Sequence, residues 1–327
     1  MRRTPTISVV MATYNGARFL REQLDSICNQ TYPIEELILQ DDGSNDETLV
    51  IAREFAAENP QMCIIRNEKN LGFNRNFITA LKKASGEYVA IADQDDIWFP
   101  EKLEKQVRAI ERYDLCHSEL YIGPTPEDRG QEWLSSPQNH FISLLFTPTI
   151  YGHTMLVKRE VIHRIKDWGE SYITYDWRLS LEACLGGGIK CVHEPLNWHR
   201  HHESSAIAVH RKNFMLHSEK ATWQPYVIGI FDYYRIKKKS GWKWLYAFMK
   251  EQTDGSFPLE HRLCSLLLKD DPVSVVLLCC LCMKSREKVN HRFAGGHGWG
   301  YCKNRLRGFF FPFIRSYTNT SFDFTWK

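Results

Sequence analysis

"ISVVMATYNGARFLREQLDSICNQTYPIEELILQ", residues 7–40, decides the fold class. It opens on a short β-rich run. "ARFLREQLDSICNQ" then sets Phe19, Leu20, Leu24 and Ile27 at helical spacing, and "ELILQ" returns to strand. The cycle continues through helical "DETLVIAREFAAEN" (46–59), strand "MCIIRN" (62–67), helical "NRNFITALKKASG" (74–86), which Gly86 can terminate, and strand "EYVAIAD" (87–93). A helix that Pro100 can open, "PEKLEKQVRAIERY" (100–113), follows. Four β-α units in about 110 residues predict an α/β domain, a mainly parallel Rossmann-like sheet with helices on both faces. Ligands of such sheets bind just beyond the carboxyl ends of the strands.

The polar residues gather at that edge. Thr13, Tyr14 and Asn15 leave the first strand, Asp41 and Asp42 the second, and Asp93, Asp95 and Asp96 the fourth. Carboxylates collected in one crevice repel one another unless a cation neutralises them, and oxygen ligands favour Mg2+ or Mn2+ completed by substrate phosphates. Helix capping is the alternative for single members, Asp46 before "ETLV" and Asp96 before Ile97.

The bulk composition is that of a globular protein: 327 residues, 43% hydrophobic, 25% charged. A net charge of +3 gives no reason to expect nucleic acid as a partner. Ten irregularly spaced cysteines read as reduced thiols of a cytoplasmic protein, and Cys279-x-x-Cys282 lacks the second pair of a zinc site. The apolar run Ile7 to Ala12 after Arg2 and Arg3 is too short for a signal-peptide core. "VSVVLLCCLCM" (273–283) reaches about half of the ~20 residues of a spanning helix. Asn319-Thr320-Ser321 matches a glycosylation acceptor by chance.

Four segments in order, "SVVMATYNGARFLREQLDSICNQTYPIEELILQDDGSNDET", "NLGFNRN", "GEYVAIADQDDIWFPEKL" and "YDWRLSLEACLGGGIKCVHEPLNWHRHH", resemble the motifs of family 2 glycosyltransferases with the GT-A fold, nearest to the bacterial rhamnosyltransferase-like group. The likeness covers residues 5–205 and lapses from about 210. It implies an inverting, metal-dependent transfer of a sugar from a nucleoside diphosphate to a hydroxyl of a glycan or lipid-linked acceptor, in surface polysaccharide synthesis. By the same likeness Ala12, Thr13 and Tyr14 line a nucleobase pocket, Asp41 contacts the base with Asp42 beside it, and Arg75 contacts the nucleotide. Asp93 takes the ribose, Asp95 the metal, and Asp96 lies near the diphosphate.

Transfer needs a base for the acceptor hydroxyl. Asp176 in "ITYDWRLS" matches the Asp of an H-D-W-W segment, with Tyr175 in place of His and Arg178 in place of the second Trp. The other reading of Asp176 is an N-cap for "WRLSLEACL". In "HRHHESS" (199–205), Arg200 and His202 resemble an R-x-H that closes over the diphosphate, His202 as metal ligand or phosphate donor; His199 and His201 read as exposed. His153 and Trp177 are expected on the acceptor side.

Residues 1–208 are thus expected to form the catalytic domain, and 209–327 a mainly helical region. "RIKKKSGWKW" (235–244) and "KNRLRGFFFPFIR" (303–315) interleave basic and aromatic residues, which suits either contact with the inner membrane surface or packing against the catalytic domain. A non-catalytic sugar-nucleotide-binding or assembly subunit is the alternative function. A Mg2+-dependent phosphatase ranks last, because no nucleophile segment is present.

Overall fold

The computed structural model describes residues 4–123, 132–134, 140–200, 223–290 and 298–318. The opening alternation folds as read: β1 (Ile7–Thr13), α1 (Ala17–Cys28), β2 (Glu36–Asp41), α2 (Thr48–Glu58), β3 (Met62–Arg66), α3 (Phe73–Leu81) and β4 (Tyr88–Ala92). Successive side chains of a strand face opposite sides, and β1 obeys this strictly. Ile7, Val9 and Met11 pack with Leu20, Leu24 and Ile27 of α1 and Phe55 of α2, whereas Val10 packs with Phe77, Ile78 and Leu81 of α3. Both faces of the strand are therefore buried, as a covered parallel sheet requires.

After β4 the chain departs from a simple β-α repeat. A two-residue β5 (Ile97–Trp98) precedes α4 (Lys102–Ile110). There follow β6 (Leu115–Gly123), β7 (Glu132–Leu134), α5 (Phe141–Phe146), a 3-10 turn (Gly152–Thr154), β8 (Met155–Lys158), α6 (Arg159–Arg164), α7 (Tyr175–Leu185) and β9 (Ile189–Arg200). Among the described residues one sheet runs β3-β2-β1-β4-β8-β6-β9-β5, with β7 added to β6. The β1, β2, β3 and β4 pairings are parallel, but β8 runs antiparallel to both β4 and β6, and β5 antiparallel to β9. The sheet is thus mixed, parallel in the half that the alternation covers. This arrangement brings the carboxyl end of β4 beside the 3-10 turn and the carboxyl end of β9.

From Gln224 onward the described residues are helical: α8 (Gln224–Lys237), α9 (Ser240–Gln252), α10 (Pro258–Leu267), α11 (Pro272–Lys284), α12 (Arg286–Val289), α13 (Trp299–Phe309) and α14 (Phe311–Thr318). These helices share one apolar cluster with the sheet, running from Val10 and Ile38 through Leu144 and Trp177 to Tyr246, Leu278 and Phe313. Tyr246 donates its hydroxyl to the Leu145 carbonyl at 2.7 Å, and Trp242 donates Nε1 to the Leu267 carbonyl at 3.1 Å. Each such buried aromatic contributes about 1.5–3 kcal/mol by area alone. Helices α8 and α14 touch closely enough that a Cβ at Gly229 would lie 2.3 Å from the Phe313 carbonyl oxygen.

The basic-aromatic stretches therefore divide. Trp242, Phe311 and Phe313 are buried, while α8 turns Val227, Ile230, Phe231 and Tyr234 outward, with Trp223 just before it. Cys279 and Cys282, one turn apart on α11, are buried in the core. No helix among the described residues is long and apolar enough to cross a membrane. Residues 201–222 and 319–327, and with them His201, His202, the expected boundary at 208 and 209 and the Asn319 triplet, lie outside the described residues.

Candidate active site

Three loops at the carboxyl ends of β1, β2 and β4 form the floor. Asp41 ends β2 with its carboxylate fully buried, accepting from the Thr13 hydroxyl at 3.1 Å, the Gly43 N–H at 3.1 Å and the Ser44 N–H at 2.9 Å. Asp42 accepts from Asn67 Nδ2 at 2.7 Å and from the Leu71 and Gly72 N–H groups at 2.7 and 2.8 Å. Both carboxylates shape the loops instead of standing open in the crevice. Tyr14, in contrast, is 48% exposed, and Ala12 is half-buried beneath it. Asn15 turns the chain with φ of 48°, a left-handed conformation that Asn tolerates, and its side-chain oxygen accepts from the Asn45 N–H at 3.0 Å.

Gln94 ties the β4 loop to this rim. Its side-chain amide pairs with the backbone of Tyr14 in both directions, accepting from the N–H at 2.9 Å and donating to the carbonyl at 3.2 Å. Gly16 makes room for it, since a Cβ there would lie 2.2 Å from Gln94 Oε1.

The acidic loop meets two histidines. His153, in the 3-10 turn, lies 2.9 Å by Nδ1 from Asp93 Oδ2, and His199, near the end of β9, lies 2.8 Å by Nδ1 from Asp96 Oδ1. The two rings stack, centroids 4.7 Å apart and planes 7° apart. Asp96 is wholly buried. Burial pushes its pKa up, but the positive charges of His153 and His199 and the His199 hydrogen bond outweigh that and hold it below the ordinary Asp value. Burial alone would lower the pKa of His199; the charge and hydrogen bond of Asp96, with Asp93 and Asp95 behind them, raise it to about 9. His199 is thus not the exposed residue that its place in "HRHH" suggests, because β9 carries it back under the acidic loop. His153 belongs to the same cluster and, at 5% exposure, not to an open acceptor wall.

Ligand atoms of Asp93, Asp96, His153 and His199 all lie within 4.8 Å of one another. Asp95 is not in that set. Its backbone carbonyl accepts from Arg200 Nε at 3.0 Å, and the guanidinium is packed over the rings of Phe19 at 4.2 Å and Trp198 at 4.6 Å and paired to Glu22. Arg200 holds the loop from below, with only 8% of its surface open.

Asp176 stands in the first turn of α7, half-buried, and accepts from the Trp177 N–H at 2.8 Å. Burial raises its pKa and the charge of nearby Asp93 adds to the rise, against the Trp177 hydrogen bond. Beside it Tyr175 stacks on Phe77, centroids 4.4 Å apart, with its hydroxyl against Gly152, where a Cβ would come within 2.0 Å. Trp177 corrects the expectation of an acceptor contact: it is 1% exposed and donates Nε1 to the Leu144 carbonyl at 2.7 Å, because the helix turns it into the core. Arg75, on α3, is half-exposed and paired at 2.5 Å to Glu170.

Residues 8–166 match the model of glycosyl transferase family 2. This stretch is a family 2 glycosyl transferase domain. Among relatives, EpsE of Bacillus subtilis, a protein named as a glycosyltransferase, is 36% identical over 160 residues, 48% of this chain and 58% of its own. A protein of Haemophilus influenzae, also named as a glycosyltransferase, is 31% identical over 179 residues, 51% of this chain and 55% of its own. The chain thus spans somewhat more than half the length of these relatives. Two solved structures share the fold. Mannosyltransferase PcManGT from Pyrobaculum calidifontis, in complex with GDP-Man and Mn2+, has a TM-score of 0.52 at 17% identity, covering 98% of this chain and 88% of its own. S. aureus TarS in complex with UDP-GlcNAc has a TM-score of 0.50 at 18% identity, covering 96% and 89%. The fold is therefore GT-A with a helical carboxyl-terminal part.

The cluster suits a divalent cation. His153 Nε2 is buried, 3.9 Å from Asp96 Oδ2, and has no hydrogen-bond partner among the described residues, which leaves a nitrogen directed at the carboxylates. Two carboxylates with two imidazoles suit Mn2+ better than Mg2+, which prefers oxygen alone. Sequence reasoning passed over Gln94, counted only as the spacer of the acidic motif, and Asn74. The Asn74 side chain donates to the Glu170 and Ile173 carbonyls at 2.8 and 2.9 Å and accepts from the Tyr175 N–H at 2.7 Å, tying α3 to the turn that presents Asp176. A polar residue inside an otherwise apolar helical face is the signal that could have found it.

Proposed function

We propose that this chain transfers a sugar, with inversion, from a nucleoside-diphosphate sugar to a hydroxyl of a glycan or lipid-linked acceptor, in surface polysaccharide synthesis on the cytoplasmic side of the membrane. The observation that carries the reading is the Asp93–Asp96–His153–His199 cluster with Asp176 within electrostatic reach of Asp93 and His153. A divalent ion held there would neutralise the charge that develops on the leaving diphosphate. Asp95, and His202 beyond the described residues, complete the expected ligand supply.

The chain's own residues do the rest. Tyr14, supported by Ala12 and Gln94, offers an open aromatic rim for a base, with Thr13, Asp41 and Asp42 fixing the loops around it. Arg75 borders the donor side through a half-exposed guanidinium, and Arg200 braces the acidic loop from below. Asp176 takes the acceptor proton: its raised pKa makes it a stronger base than an ordinary carboxylate. One such base, facing a leaving group across the sugar, calls for direct displacement and inversion.

Thermal-shift measurement with Mn2+ and a panel of UDP-, dTDP- and GDP-sugars tests the reading, since a ligand of the folded state raises its melting temperature by mass action. Stabilisation by one sugar nucleotide, dependent on Mn2+, is expected; no stabilisation by any member with the ion present removes the proposal.

A further inference from the structure

A second cluster of metal-ligating side chains lies lower in the sheet. Cys191 and His193 stand two apart on β9, and Glu119 stands on the neighbouring strand β6. One ligand atom from each of the three lies within 4.8 Å of the others, and His193 Nδ1 is 3.4 Å from Glu119 Oε1. Cys191 and Glu119 are buried, at 7% and 4% exposure, whereas the His193 side chain is 72% exposed. Two ligands are therefore held firmly in the sheet, and the third can swing over them from solvent.

The strand register explains why they converge. β6 and β9 pair regularly from His117 with Cys191 to Ser118 with Val192, but the next partner of Glu119 is Pro195. His193 and Glu194 are thus extra residues in β9, forming a bulge. A bulge re-aims side chains out of the regular alternation, and Pro195, without an N–H, fits where the ladder is broken. Glu194 turns away to Lys105 at 2.5 Å, which leaves His193 over Glu119.

We propose that Glu119, Cys191 and His193 form a zinc site with one open coordination position, separate from the Asp/His cluster. One thiolate, one imidazole and one carboxylate with a water as fourth ligand satisfy the tetrahedral preference of Zn2+. The two clusters differ in softness, since the thiolate favours Zn2+ and the sulfur-free carboxylate–imidazole cluster suits Mn2+. They also differ in place: Val192 and His199 of β9 pair with Ser118 and Ile122, four residues apart on β6, about 13 Å at a strand's rise. A zinc ion here would cross-link β6 to β9 at the break in their ladder and steady the strand that ends in His199 and Arg200.

Cobalt titration of the metal-free full chain tests the site, because a thiolate ligand gives Co2+ a near-ultraviolet charge-transfer band that carboxylate and imidazole ligands do not. One equivalent of band is expected in the wild type, retained in Asp93→Asn, displaced by Zn2+ and absent from Cys191→Ser. His193→Gln alters a largely exposed side chain, so it should fold normally and weaken Co2+ binding by roughly tenfold or more. Absence of the band in the wild type, its survival in Cys191→Ser, or unchanged affinity in His193→Gln overturns the proposal.

Discussion

His153 and His199 lie face to face, 4.7 Å between centroids, each turned by Nδ1 to a different carboxylate of one loop. Each ring is held against an acid of that loop, His153 also within 3.9 Å of Asp96, so the histidines and Asp93 and Asp96 form one electrostatic unit.

Metal binding should therefore be proton-linked. His199 keeps its proton up to about 9 in the metal-free protein, and a metal ligand must be neutral imidazole. Mn2+ affinity should rise about tenfold per pH unit between pH 7 and 9 if one proton is displaced. Calorimetry in buffers of different ionisation enthalpy would count that proton, and His199→Asn should abolish the release.

Without metal the same pair makes stability depend on pH in the opposite sense. The folded pKa of His199 lies above its usual 6.5, so its contribution is complete below about 6.5 and is lost as pH rises through about 9. Asp96 is lowered, so its share is lost as pH falls through the carboxylate range. Melting temperature should be highest between those limits and fall toward pH 9, and Mn2+ should flatten the alkaline fall.

Asp176→Asn should lower transfer by about 10²–10⁴-fold while leaving nucleotide binding intact. In the wild type the acid limb of kcat/KM should lie above the ordinary Asp value of about 3.9, because burial raises the Asp176 pKa and only the ionised form accepts the proton. Single-turnover assays across pH, with donor affinity measured separately, distinguish this from a structural defect.

Gln94→Ala and Gly16→Ala should weaken nucleotide binding in the same way, the first by removing the amide that braces Tyr14 and the second by driving it out. The double variant should be no worse than the poorer single one, because both act on one contact. Full additivity would show that Gln94 and Gly16 act independently.

The outward face of α8 carries Val227, Ile230, Phe231 and Tyr234, with exposed Trp223 just before it and exposed Arg235 and Lys238 at its end. If the acceptor is lipid-linked, the chain should float with anionic liposomes and not with neutral ones. Phe231→Glu should abolish flotation without lowering the melting temperature, since this ring is 72% exposed.

The first half of the sheet was legible because β1, β2 and β4 are apolar runs divided by amphipathic helices, and local periodicity reports on them directly. The second half was not. β6, "LCHSELYIG", holds His, Ser and Glu, and β9, "IKCVHEPLNWHR", holds Pro and three charged or imidazole groups before its end. Their strand character comes from pairing with distant partners, which no window of sequence contains. The site follows the same division. Asp93 and Asp96 announced themselves as a cluster, but His153 and His199 join them from 60 and 103 residues away. Asp41, Asp42 and Arg200 were conspicuous as charges, yet burial decides which charges meet a ligand and which shape the loop that does.

The apolar cluster that runs unbroken from Val10 to Phe313 constrains how such a chain can be rebuilt. Exchanging its terminal helices for those of another protein of this fold, as a modular view of specificity would invite, would strip the cover from Leu144, Leu145 and Trp177 and expose a greasy surface behind Asp176. A working chimaera must carry α5 and α7 along with the graft, so that new acceptor preferences arrive together with the scaffold on which Asp176 is mounted.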